Sequence, residues 1–272
     1  MTALPLSLLL AATPASLLSQ GSLPPPETSN YVGSQLCGVC HQDRSIDFQA
    51  NPHANQVLEV DGVAHTGCEN CHGPGENHTQ SMNPDLIFRF GTGDPIVESG
   101  KCLACHAGEG THPDRAFDSH QGASIGCVNC HSVHDPGETR KLLRSAPNQL
   151  CASCHPGERA AFRQPFTHPL DQGITECIDC HTPHGSPAGF QLLRSNANES
   201  TCLSCHSDKR GPFAFEHMPT LIDGCVGCHV PHGSANPRML VRHEVKFVCL
   251  ECHTNSASAF GATPPAFHDL RS

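Results

Sequence analysis

Large aromatic side chains are almost missing from this 272-residue chain: it has no tryptophan, one tyrosine (Tyr31), and aromatics make up 5% of its residues. Glycine is 24 and proline 23 of the total. A chain so built cannot bury a large side-chain core of its own. Positive charge is also scarce, with 16 Lys and Arg against 26 Asp and Glu, no basic block, and a net charge of −10. That balance argues against a nucleic-acid partner. Past the N-terminus no apolar run approaches the roughly 18–20 residues that span a bilayer, so no transmembrane helix is expected in the mature chain. Spare thiols are missing as well. All 18 cysteines fall in copies of one motif, which leaves none for a disulfide or a catalytic nucleophile.

That motif, Cys-x-x-Cys-His, occurs nine times. Its cysteines are Cys37 and Cys40, Cys68 and Cys71, Cys102 and Cys105, Cys127 and Cys130, Cys151 and Cys154, Cys177 and Cys180, Cys202 and Cys205, Cys225 and Cys228, and Cys249 and Cys252. Its histidines are His41, His72, His106, His131, His155, His181, His206, His229 and His253. This is the attachment pattern of a c-type haem. Two sulfurs on one turn bond the two vinyl groups, and the histidine beneath the iron supplies the proximal nitrogen. A zinc ribbon or a redox dithiol needs no histidine directly after the second cysteine. With 21 histidines in 272 residues, nine such placements by chance have a probability on the order of 10⁻¹⁰. The expected cofactor is therefore nine covalently bound haem c groups. The porphyrins would serve as the core, and the apo chain would be largely unfolded.

Residues 1–20 read as an export signal, with an apolar stretch over 4–12 and small residues near Ala15 and Ser19, although the n-region lacks Lys and Arg. Residues 21–32, with Pro24, Pro25 and Pro26, read as an extended leader. Residues 33–272 form the haem domain, and a repeat organises it. Motifs starting at Cys102, Cys151, Cys202 and Cys249 are spaced by 49, 51 and 47 residues, and those at Cys127, Cys177 and Cys225 by 50 and 48. Two-haem units are expected over 33–95, 96–146, 147–196 and 197–242, with a half-unit over 243–272. Between motifs the text repeats too: His131-Ser132-Val133-His134, His181-Thr182-Pro183-His184 and His229-Val230-Pro231-His232 align. Leu142-Leu143-Arg144-Ser145, Leu192-Leu193-Arg194-Ser195 and Met239-Leu240-Val241-Arg242 follow them, and their apolar pairs are expected to press on haem faces or edges. The expected fold class is mostly irregular, with short α-helices such as 42–50, 158–164 and 243–253. Almost no β-sheet is expected, and the units form an elongated multihaem array.

If every iron has two histidine ligands, nine of the remaining twelve histidines must be distal. The repeat selects them in two classes. One lies 11 to 15 residues after an odd-numbered motif histidine: His53, His120, His168, His217 and His268. The other follows an even-numbered motif closely: His78, His134, His184 and His232. His65, His112 and His243 are left over. His184 sits too near His181 to reach the far face of the same haem, so ligation of a neighbouring haem is expected, which would staple haems together. His268 is expected to serve the last haem. Methionine, the alternative ligand that raises potential, is available only at Met82, Met218 and Met239 apart from Met1.

No Cys-x-x-Cys-Lys variant occurs, the one tyrosine precedes the first motif, and the ligand count leaves no iron open. Electron transfer rather than catalysis is the expected function, with donor and acceptor redox proteins as partners. Bis-histidine ligation implies low potentials suited to anaerobic respiration. The run Cys-x-x-Cys-His-x-Pro-His-Gly-Ser, together with Cys68-Glu69-Asn70-Cys71-His72-Gly73-Pro74-Gly75 and His78, resembles the decahaem periplasmic cytochromes of Mtr-type and DMSO-respiration porin–cytochrome conduits. The resemblance covers residues 33–268. It implies a rod of bis-histidine haems, periplasmic or outer-membrane-associated, partly threaded through an outer-membrane β-barrel porin. This chain departs from that family in carrying nine motifs rather than ten. A soluble periplasmic shuttle, a subunit of a polymeric cytochrome wire and a multihaem reductase are the alternatives.

Overall fold

The computed structural model describes residues 30–60, 62–107, 118–135, 140–187, 192–193 and 200–253. The expected export signal, most of the leader, His112 and His268 lie outside the described residues.

Short helical segments joined by turns make up the chain, and the longest described helix is Pro95–His106. Helix starts follow local chemistry. Asp94 accepts from the Ile96 N–H with Pro95 in the first turn, and Pro147 opens the helix Pro147–Cys154. Helices over Gln42–Gln49, Pro156–Ala161 and Val245–Leu250 stand where the sequence places them, each a little shorter or shifted. The one described sheet is a hairpin in which β1 (Val57–Val60) pairs antiparallel with β2 (Val63–Thr66), and Val60 stands opposite Val63. It lies between the first two motifs and accounts for the extra length of the first unit.

Among the described residues the buried apolar side chains besides Pro147 are two, Leu170 and Leu203. Large apolar groups such as Ile174, Ile222 and Phe215 stand open, the last at 93% exposure. The polypeptide thus forms a wrap whose apolar side chains lack a protein interior to enter.

The repeated apolar pairs do something the sequence did not reveal. Leu143 bridges antiparallel to His131, Leu192 to His181 and Leu240 to His229. In the first and last of these the N–H after the motif histidine, Ser132 or Val230, donates to Leu142 O or Met239 O at 2.7 Å. Arg144 and Val241 donate back to Cys130 O and Cys228 O. The segment is therefore a backbone clamp on the motif, whatever else its side chains touch. Both turns that enter it are left-handed at non-glycine residues: Lys141 and Leu142 at φ 59° and 55°, Arg238 and Met239 at 59° and 55°. Such residues cost on the order of 1–3 kcal/mol each and persist only where the surroundings enforce them.

Candidate functional site

Each motif is one helical turn. The backbone N–H of the motif histidine donates to the carbonyl of the first cysteine at 2.9–3.1 Å in eight motifs, from His41 on Cys37 to His253 on Cys249. In the remaining motif Cys102 to His106 closes the helix Pro95–His106. Positions i, i+3 and i+4 of a turn share one face, so two sulfurs and an imidazole are presented together.

The two motifs of a unit are tied by a side chain three residues before the first one. Ser34 Oγ accepts from Cys68 N–H at 2.9 Å, Ser99 Oγ from Cys127 N–H at 3.2 Å, and Asn148 Oδ1 from Cys177 N–H at 2.9 Å. Asn148 Nδ2 also donates to Thr175 O at 3.1 Å. In consequence the leading thiols of a unit meet: Cys37 with Cys68, Cys102 with Cys127, Cys151 with Cys177. Before haem attachment the facing Cys37 thiol holds Cys68 below the ordinary thiol range, and Cys151 holds Cys177 below it. Asn148→Ala strands the Cys177 N–H and is expected to cost about 1–2 kcal/mol; a lowered thermal unfolding midpoint at unchanged haem content checks it.

Seven motif histidines each face a second histidine at a nearly constant distance. Ring centres are 6.2 Å apart for His41 and His78, 5.9 Å for His106 and His53, and 5.8 Å for His72 and His134. They are 6.1 Å apart for His155 and His120, 6.1 Å for His131 and His184, 6.2 Å for His206 and His168, and 5.9 Å for His181 and His232. Other ring contacts scatter widely, from 4.0 Å for Tyr31 on His65 to 6.5 Å for Phe48 on His134, so it is the constancy of the seven spacings that stands out. A metal–imidazole bond is about 2 Å and a ring nitrogen lies about 1.1 Å from its ring centre, so a metal held between two imidazoles sets the centres about 6.2 Å apart. The spacing fits an iron between each pair.

The second ring nitrogen is occupied by a protein acceptor in several of these histidines. His72 Nδ1–H donates to Phe88 O at 2.6 Å, and His131 Nδ1–H to Lys141 O at 2.8 Å. His78 Nδ1–H donates to Asn83 O at 2.9 Å and His168 Nδ1–H to Pro231 O at 2.8 Å. His229, outside the seven pairs, donates to Arg238 O at 2.8 Å. A carbonyl only accepts, so the proton must sit on Nδ1 and Nε2 keeps a lone pair for a metal. The left-handed turns at Lys141 and Arg238 thereby aim a carbonyl at a motif histidine. Burial first, then the facing His106, His72 and His181, hold His53, His134 and His232 below the ordinary imidazole range, which favours neutral rings.

Six of the seven pairs join neighbouring units reciprocally. His53 reaches from the first unit to His106, and His134 returns from the second to His72. His120 with His155 and His184 with His131 repeat the exchange, as do His168 with His206 and His232 with His181. At the third of these junctions Gly233 follows His232 at φ +140°, where a Cβ would strike Ala161 O. The seven pairs do not include His217, His229 or His253. Of the leftover histidines, His65 packs on Tyr31 with its Nε2 buried and unpartnered, and His243 lies beside Glu244 and Phe247.

Comparison with known proteins agrees with this chemistry. The family described as "Doubled CXXCH motif" matches residues 120–160, 168–211 and 217–258. The multihaem cytochrome MtrA of Shewanella baltica (strain OS185) is 33% identical over an alignment of 244 residues that covers 85% of this chain and 69% of that protein. The chain belongs to the MtrA family of multihaem c-type cytochromes. A solved structure, the undecahaem cytochrome from the S-layer of Carboxydothermus ferrireducens, is similar over 54% of this chain and 37% of its own, at 20% identity and a TM-score of 0.33.

As a cytochrome of this family the chain binds haem c covalently, and bound haem supplies the one-electron iron couple. The carboxylates near the motifs turn out to hold backbone. Glu69, 3% exposed, accepts from the N–H groups of Val32, Gly33 and Gly75 at 3.0, 2.7 and 2.8 Å. Glu98 accepts from Gly91, Thr92 and Gly93 at 2.7, 3.0 and 2.8 Å, and Gly91 and Gly93 foremost hold its carboxyl below the usual range. Sequence reasoning missed these two, as well as Ser34, Ser99 and Asn148. The position three before each odd-numbered motif reads Ser34, Ser99, Asn148, Glu199 and Lys246, so alignment alone would not have exposed the last three. Among the described residues no helix is long and apolar enough to cross a membrane.

Proposed function

We propose that the chain carries nine haems, each iron held by a motif histidine and a distal histidine, and transfers electrons along them without catalysing a reaction of its own. The cysteines Cys37 to Cys252 attach the haems, and the motif histidines His41 to His253 are the proximal ligands. The distal ligands are His53, His78, His120, His134, His168, His184, His217, His232 and His268. The uniform 5.8–6.2 Å separation of seven histidine pairs carries this reading.

The register of those pairs supports one further assignment. His120 precedes its partner by 35 residues and His168 by 38, and His217 precedes His253 by 36. On that register His217 would be the ligand opposite His253, which would leave His268, outside the described residues, for the motif of His229.

The protein's part is to hold paired imidazoles at a fixed separation, with the proton on Nδ1 where a carbonyl accepts it, and to keep the leading cysteines of a unit in contact so that the haems they would carry lie close together. Reciprocal exchange of ligands makes every unit depend on its neighbours, which suits a continuous path along 33–272. Membership of the MtrA family supports a place in an exported porin–cytochrome conduit, periplasmic or outer-membrane-associated, between a donor and an acceptor protein. Intact mass spectrometry of the exported protein is expected to find nine covalent haem additions; a count of six or fewer would overturn the reading. Co-purification with an outer-membrane β-barrel is expected of the conduit, and a freely soluble, unaccompanied periplasmic protein would remove it.

A further inference from the structure

The exchanged arms touch each other at the later junctions. His120 Nδ1 lies 3.3 Å from Pro183 O and His168 Nδ1 lies 2.8 Å from Pro231 O. Each carbonyl belongs to the residue just before the opposing distal histidine, His184 or His232. The first junction is built differently. There the corresponding carbonyl, Val133 O, accepts from Asn51 Nδ2 at 2.6 Å. Asn51 Oδ1 in turn accepts from the His53 backbone N–H at 2.9 Å and from its ring Nδ1–H at 2.7 Å. Asn51 is 2% exposed. A single enclosed amide therefore holds His53, which faces His106, and the segment carrying His134, which faces His72.

Only an amide meets both needs. Its oxygen fixes the His53 tautomer and strengthens the ring as a ligand, while its NH₂ group fixes the carbonyl before His134. A carboxylate could do the first and not the second. At the second junction the equivalent N-cap is Asp118, whose Oδ1 accepts from the His120 N–H at 2.9 Å, and there the ring meets the opposing carbonyl without an intermediary.

We propose that Asn51 is a positioning residue for two irons at once, the one above His72 and the one above His106, and that it couples their ligation. The proposal rests on the bis-histidine reading of the pairs. It is tested on fully loaded holoprotein by electron paramagnetic resonance and potentiometric titration of wild type, Asn51→Ala and Asn51→Asp, with haem content checked by mass.

In Asn51→Ala the signals of two irons are expected to change together: one with near-parallel imidazoles, His72 and His134 at 6°, and one with near-perpendicular imidazoles, His53 and His106 at 72°. Asn51→Asp keeps an acceptor for His53 but sets oxygen against Val133 O. The iron above His106 should stay low-spin with a lowered potential, because the negative charge favours the ferric state. The iron above His72 alone should lose its native signal. Unchanged spectra in Asn51→Ala, a change in one class only, or identical behaviour of the two variants would overturn the proposal. Should Asn51→Ala fail to accumulate with its haems, the split between the two irons in Asn51→Asp decides alone. High-spin wild type would instead sink the bis-histidine reading, which keeps the two failures apart.

Discussion

Produced where haem cannot be attached, the chain is expected to show no cooperative thermal transition and little helical signal. Ordering a residue costs about 1–2 kcal/mol of backbone entropy, and burial of apolar surface returns about 25 cal/mol per Å². With Leu170, Leu203 and Pro147 as the only buried apolar side chains among the described residues, protein–protein burial cannot meet that cost. The helices cannot stand alone either. The longest described, Pro95–His106, has 12 residues, and isolated helices below roughly 12–15 residues are marginal even in favourable sequences. Stability must come from groups bound to the native state. Circular dichroism of cytosolically expressed chain checks this. A compact apo protein with a sharp melting transition would contradict it.

Replacing His232 by alanine is expected to convert one iron, the one above His181, from low-spin to high-spin while the remaining irons keep their signals. His232 faces His181 at 5.9 Å, so its loss opens the position opposite His181. The neighbouring candidate, His168, is already engaged with His206 and with Pro231 O. Added imidazole should restore the low-spin signal, and carbon monoxide should bind the reduced variant at one haem. His232→Met should keep that iron six-coordinate and raise its potential, since a thioether favours the ferrous state. A variant spectrum indistinguishable from wild type would show that His232 holds no iron.

How much of this was legible in the residues follows from the range of each interaction. The motif is local: Cys177, Cys180 and His181 lie within one turn, so spacing alone announces their shared face. The distal histidines are not local. His134 meets His72 across 62 residues and His120 meets His155 across 35. They could be nominated because a repeat near 50 residues displays the same histidine several times. Which ring faces which required the fold, since His184 faces His131 in the unit before its own and His168 faces His206 in the unit after. Backbone acceptors were wholly illegible. Nothing in the identity of Lys141 or Arg238 announces a left-handed turn, because those side chains do not favour one; the clamp on the preceding motif imposes it. The leucine pairs looked like apolar padding and proved to carry main-chain bridges as well. Asn51 shares its N-cap position with Asp118, but its second role could not be read from the residues, because among the described junctions the first alone has an amide there.

The central claim, that paired imidazoles at fixed separation each clasp an iron, is tested most directly by quantitative electron paramagnetic resonance of the oxidised holoprotein as isolated. The prediction is low-spin ferric signal from at least the seven paired sites, in two forms. Rings near parallel, at 6°, 20° and 27° for His72, His41 and His131, should give a rhombic signal. Rings far from parallel, at 72° and 74° for His106 and His155, should give one with a much larger maximal g value, because perpendicular ligand planes leave the iron orbitals nearly degenerate. High-spin signal exceeding what the irons of His229 and His253 could contribute would contradict it.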